Sequence, residues 1–161
     1  MDVMKKFFDW RLIAFIIICE LAGAVGSLFT APSIPGWYSS LAKPDFAPPN
    51  WIFAPVWTIL FALMGIAAFL VWRKGIHLKE VKIAIYAFGV QLALNIIWSA
   101  IFFGLRSPGL AFAEVILFLA AIVVSAFLFF RISKPAGWLF VPYIIWVSFA
   151  SYLNFMIWRL N

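Results

Sequence analysis

Polar and charged residues fall into a few short clusters along this chain, and between them run long apolar stretches with no period-two alternation. A helix crossing the hydrocarbon core of a bilayer needs about 20 mostly apolar residues. Five stretches meet that length: Leu12–Ala31, interrupted by Glu20; Trp51–Trp72 and Ile83–Leu105, both free of charge; Pro108–Phe130, interrupted by Glu114; and Gly137–Trp158. Membrane barrel strands are shorter and alternate in polarity, so the pattern predicts an all-α membrane protein, a bundle of five transmembrane helices. The connectors Arg73–Lys82, Arg106–Ser107 and Arg131–Ala136 are short, and only Pro32–Asn50 is long. No internal repeat or interdomain linker is visible, so residues 1–161 read as a single transmembrane domain.

Composition narrows the classes further. The chain is 66% hydrophobic and 11% charged, whereas soluble domains carry about 25% charged residues, so a water-soluble fold and a disordered chain are both excluded. The lone Cys19 builds no disulfide framework. Net charge is +6, but no basic patch lies on a polar surface, and no nucleic-acid partner is expected. The basic residues set orientation instead. Nine of them (Lys5, Lys6, Arg11, Arg73, Lys74, Lys79, Lys82, Arg131 and Lys134) fall on the side of the N-terminus, against three (Lys43, Arg106 and Arg159) on the other. The positive-inside rule then puts the N-terminus in the cytoplasm and the C-terminus and long loop outside, most simply in a bacterial plasma membrane. Lys5, Lys6 and Arg11 before an apolar run resemble a signal peptide, but Glu20 interrupts that run and it continues to Ala31, so the span reads as retained.

Polar and aromatic residues are spread unevenly in depth. At about 1.5 Å per residue, Trp57, Asn95, Trp98, Glu114 and Asn154 fall in the outer halves of their spans, while Glu20, Gln91 and Trp146 lie near the midplane. Gln91, Asn95, Trp98 and Phe102 share one helical stripe; Tyr143, Trp146 and Ala150 share another, and Trp57 and Phe61 a third. Facing stripes of this kind predict a cavity opening toward the long loop, suited to a flat apolar ligand with a few polar edges. Trp10, Trp51, Trp72, Trp138 and Trp158 sit at span ends, where interfacial anchoring accounts for them. Anchoring does not account for the deeper Trp57, Trp98 and Trp146, which either line a pocket or pack. Gln91 and Asn95 are equally suited to interhelical hydrogen bonds. Glu20 and Glu114 must face protein or water, as proton or cation sites or as neutral carboxyls closing helix contacts.

No conventional catalytic motif appears. His77 lies alone in a charged connector without a companion at metal-ligand spacing, so no metal is expected. There is no phosphate-binding glycine loop and no nucleophile elbow. Pro55 and Pro142 fall inside predicted spans, where kinks are expected. Two small-xxx-small pairs, Ala22/Gly26 and Gly89/Ala93, would let helices approach closely, within the chain or between two copies.

The long loop is the most specific segment. Pro35, Pro44, Pro48 and Pro49 limit its backbone freedom, so it is expected to hold a defined shape, a structured lid over the spans. From Trp37 to Trp51 it matches W-Y-x-x-L-x-K-P-x-F-x-P-P-x-W, continuing through Pro55-Val56-Trp57. Further blocks are Gln91-Leu92-Ala93-Leu94-Asn95 with Trp98 and Phe102-Phe103-Gly104, and Pro142-Tyr143 through Trp146, Phe149-Ala150, Leu153-Asn154 and Trp158-Arg159. In these blocks, and over essentially its whole length, the chain resembles the TspO/MBR family: the translocator proteins, or peripheral-type benzodiazepine receptors, and the bacterial tryptophan-rich sensory proteins.

The resemblance implies a five-helix bundle, usually a homodimer, with a pocket beneath the first loop. It implies no cofactor, and as ligand protoporphyrin IX or a haem-like tetrapyrrole, or drug-like planar molecules, in tetrapyrrole homeostasis or stress signalling. The matching pocket positions are Tyr38 and Pro48 from the loop, Trp57 and Phe61, Asn95 and Trp98, and Trp146 with Ala150. Gly89 and Ala93 match the dimer-face motif. Two other readings come with the resemblance: light- and oxygen-dependent degradation of protoporphyrin IX, with Trp57 and Trp146 as candidate catalytic residues, and transport of tetrapyrroles. The chain departs from animal members at the cholesterol-recognition pattern, where Phe155 replaces the tyrosine between Leu153 and Arg159, leaving sterol binding without support.

Overall fold

In the computed structural model, which describes residues 9–161, the spans form around short polar turns and proline-marked helix starts. Helix α1 covers Trp10–Ser33 and runs on through a π-helical turn, Ile34–Tyr38; the side chain of Asp9 caps its start by accepting from the Arg11 N–H at 3.0 Å. A 3₁₀ turn, Asn50–Ile52, leads into α2 (Phe53–Trp72). Helix α3 (Lys79–Ser99) also ends in a π-helical turn, Ala100–Gly104. Helix α4 spans Pro108–Ile132, the short α5 spans Lys134–Trp138, and α6 spans Val141–Leu160. Five helical segments are long and apolar enough to cross a membrane: Trp10–Tyr38, Asn50–Trp72, Lys79–Gly104, Pro108–Ile132 and Lys134–Leu160. Lys5 and Lys6, which contribute to the charge asymmetry, lie outside the described residues.

Two boundaries differ from the sequence pattern. The first span does not stop at Ala31: Pro32 sits inside the helix, which continues to Tyr38. One proline removes a single donor, and the switch to a wider turn absorbs the mismatch of Pro32 and Pro35. The segment between helices therefore shortens to residues 39–49, and Tyr38 belongs to the end of a helix rather than to the loop. The last span, in turn, is divided at Leu139–Phe140 between α5 and α6. Pro142 then lies in the first turn of α6 and Pro55 in the first turn of α2, places that tolerate proline, so neither acts as a mid-span kink.

Helix α1 packs on α2 and α3, and α4 packs on α3 and α6. The closest approach is at Gly65, where an added Cβ would stand 2.6 Å from the Cα of Ile16. Ala22 and Gly26 are buried, and a Cβ on Gly26 would lie 3.2 Å from Ser99 Oγ, so this small pair serves contact within the chain. Gly89 and Ala93 instead lie on an exposed face of α3, with no atom within 4 Å of a Cβ added at Gly89. The end of the bundle away from the 39–49 loop is densely filled: Phe129 packs against Phe88 at 5.6 Å and Phe140 at 5.1 Å between ring centroids.

The 39–49 loop is docked on the end of α6. Phe46 stacks on Tyr152 with ring planes 10° apart. The carboxamide of Asn161 accepts from the Ala42 N–H at 3.0 Å and donates to the Ala42 carbonyl at 2.9 Å.

Candidate functional site

Near the loop, the backbones of α2 and α6 stand apart and meet only through side-chain rings, and the space left among α1, α2, α3 and α6 is a cavity of about 450 Å³. It runs from Glu20, midway along α1, to Tyr38 and Asn50 beside the loop. Helix α4 contributes no wall. Trp57 and Phe61 of α2, Asn95 and Trp98 of α3, and Trp146 and Ala150 of α6 all line it. Tyr38 lines it as well, from the end of α1. Pro48 does not: it is half-buried in the loop and outside the wall.

The large aromatic side chains of the wall are held by neighbours. The indole N–H of Trp98 donates to Asn154 Oδ1 at 3.0 Å, and Asn154 Nδ2 donates to the Pro108 carbonyl at 2.7 Å, which ties the ring to the start of α4. Trp98 also stacks on Phe102, with centroids 5.1 Å apart and planes at 22°. Trp57 lies against Phe61 at 5.6 Å and edge-on to Tyr143 at 6.3 Å. Trp146 meets Phe53 at 5.9 Å and Phe149 at 5.5 Å. Tyr38 is wedged against Phe102 and Phe103 with the Lys43 ammonium 4.7 Å over its ring. Rings fixed this way present apolar faces at almost no further entropic cost when a ligand enters.

Asn95 is positioned by a buried network one layer behind the wall. Its Nδ2 donates to Tyr143 Oη at 3.1 Å; that hydroxyl donates to Gln91 Oε1 at 2.8 Å, and Gln91 Nε2 contacts Met64 Sδ at 3.6 Å. Gln91 and Tyr143 thus share helical stripes with wall residues but do not themselves reach the cavity. The Asn95 carbonyl oxygen has no hydrogen bond among the described residues and remains an acceptor at the wall. Glu114 points instead into the bundle, buried, and neither carboxyl oxygen has a partner among the described residues.

The α1 wall was not evident from the sequence. Gly23, Ala24, Ser27 and Ala31 leave the space that the rings of α2, α3 and α6 face, and the detectable signal was a stripe of small residues at helical spacing. A Cβ on Gly23 would stand 2.5 Å from the Phe61 ring, so this glycine makes room for that side chain. Ala24, Ser27 and Ala31 of α1 and Ala54 and Thr58 of α2 are exposed although they line the cavity. The cavity is therefore open rather than sealed along its α1 and α2 walls.

Comparison with known proteins agrees with this architecture. Residues 15–159 match the model of the TspO/MBR family. The chain is 46% identical over 144 residues to the tryptophan-rich protein TspO of Chlorobaculum tepidum, covering 89% of this chain and 91% of that protein. It is 36% identical over 154 residues to the tryptophan-rich sensory protein of Cereibacter sphaeroides, covering 95% and 93%. It is also 35% identical over 150 residues to the translocator protein of Bos taurus, covering 92% and 89%. With five membrane-spanning helices and a family match over nearly its whole length, this chain is an integral membrane protein that belongs to the TspO/MBR family.

Proposed function

We propose that this protein is a receptor-like binder of porphyrins, protoporphyrin IX or a related tetrapyrrole, and of drug-like planar molecules, acting in tetrapyrrole homeostasis or stress signalling. The observation that carries the reading is the cavity walled by Trp57, Trp98 and Trp146 with the amide of Asn95 among them. Its volume of about 450 Å³ falls within the range of roughly 300–1,000 Å³ usual for small-molecule sites. Stacking on the indoles holds the macrocycle, and the free carbonyl oxygen of Asn95 accepts from a pyrrole N–H. Ligand enters from the membrane between the exposed cavity-lining residues of α1 and α2, while the 39–49 loop, pinned to Asn161 and Tyr152, acts as the lid. The working form is a homodimer joined through the exposed Gly89/Ala93 face of α3, in a bacterial plasma membrane with the N-terminus cytoplasmic.

Titration with protoporphyrin IX, followed by tryptophan fluorescence, tests this reading. Saturable quenching is expected, weakened about tenfold or more in Trp146→Ala and in Asn95→Ala. Identical titration curves for the wild type and both variants would remove the cavity as the site.

A further inference from the structure

The porphyrin reading gives Glu20 no role. Among the described residues it is the only carboxyl on the cavity wall, half-buried, and it lies at the end farthest from the loop. Among the described residues it has no hydrogen bond and no ion pair. The nearest cation on its own helix is Arg11, about 13.5 Å away along the axis, and that guanidinium is already placed 5.2 Å over the Trp72 ring. Around the carboxyl the wall is Gly23 and Ala24 one turn on and the ring of Phe61 across from them.

A carboxyl held at mid-membrane depth, open to a cavity and without a partner, is a binding group awaiting a complementary one. A metal ion does not suit it, because hard cations require several oxygen ligands and the wall here offers one carboxyl. An anion is repelled. An amine suits it: the amine and the carboxyl share one proton and form a pair with no net charge, which an apolar cavity accepts.

We propose that Glu20 is a recognition group for amines, and that the cavity takes lipid-soluble aromatic amines whose rings lie along Phe61 and Trp57 while the nitrogen seats on the carboxyl. The inference rests on the cavity being a ligand site, as proposed above. Ala24, Ser27 and Ala31 of α1 and Ala54 and Thr58 of α2 are exposed along the cavity, and entry between these two helices gives such a molecule a route from the bilayer to Glu20 that avoids water.

The test uses the full chain in lipid nanodiscs and three probes: 1-(dimethylaminomethyl)pyrene, its uncharged counterpart 1-(methoxymethyl)pyrene, and protoporphyrin IX. Tryptophan quenching gives each affinity for the wild type, Glu20→Gln and Glu20→Leu. The amine is expected to bind about tenfold more weakly to both variants, while the other two probes change by less than about twofold. Unchanged amine affinity overturns the inference, and so does an equal loss for all three probes, which would trace the effect to cavity shape. Should none of the probes bind the wild type, the ligand-site reading itself falls; normal binding of the two probes that lack an amine, with no Glu20 dependence of the amine probe, removes only this proposal.

Discussion

Two glycines on facing helices should respond to the same substitution in opposite ways. At Gly65 an added Cβ would stand 2.6 Å from Ile16 Cα and 2.8 Å from Ile16 N, both backbone atoms. Ordinary carbon contacts lie near 3.5–4.0 Å, so α1 and α2 must part by about 1 Å along their closest contact. Backbone cannot rotate away as a side chain does, so the cost lies in the upper part of the overpacking range, about 2–3 kcal/mol. Replacing a helical glycine by alanine returns roughly 0.5–1 kcal/mol, so Gly65→Ala should lose about 1–2 kcal/mol net. For a chain of this size that corresponds to a fall of about 2–8 °C in the thermal midpoint. At Gly23 the obstruction is Phe61 Cε2 at 2.5 Å, the edge of a ring with the cavity beside it. The ring yields into that space, so Gly23→Ala should leave the midpoint within about 2 °C of wild type. Its cost appears in binding instead: the displaced ring occupies the cavity, and protoporphyrin IX affinity should fall about tenfold. Thermal unfolding in one detergent, with titrations of both variants, measures the two effects. If Gly65→Ala is as stable as wild type, the close helix approach is not there; if Gly23→Ala binds normally, Phe61 does not border the ligand.

Two further substitutions probe the polar interior. Tyr143→Phe removes the hydroxyl linking Asn95 and Gln91; a loss of about 1–2 kcal/mol is expected, together with weaker porphyrin binding because Asn95 is no longer held, and a titration equal to wild type would show that this network does not orient the wall. Glu114→Met replaces a buried carboxyl whose oxygens lack partners among the described residues with an apolar side chain of similar length, and should raise stability by about 1–3 kcal/mol; a lowered midpoint would reveal a partner for that carboxyl.

Helices were legible in the sequence because a span must be long and apolar, and the spacing at i, i+3 and i+4 grouped Trp57, Asn95, Trp98 and Trp146 on helix faces that line the cavity. Depth behind the wall was not legible. Gln91 and Asn95 are one turn apart on the same face, yet only the second reaches the cavity, because the rotation of α3 against α4 and α6 is a property of the packed bundle. The α1 wall was hidden for a related reason: Gly23, Ser27 and Ala31 have the small side chains that close helix packing also requires, and empty space leaves no residue to read. The break at Leu139–Phe140 falls between residues apolar on both sides, so hydropathy runs through it unmarked. Pro48 belongs to the family-like loop signature, but the loop turns toward Tyr152 and Asn161 and carries it off the wall.

The central claim is that a planar ligand occupies the space among α1, α2, α3 and α6, and a structure of the protoporphyrin IX complex in lipid tests it most directly. The macrocycle is expected between the indoles of Trp57, Trp98 and Trp146, with a pyrrole nitrogen within hydrogen-bond distance of Asn95. A macrocycle lying on the exposed Gly89/Ala93 face, with the cavity unchanged, would contradict the account.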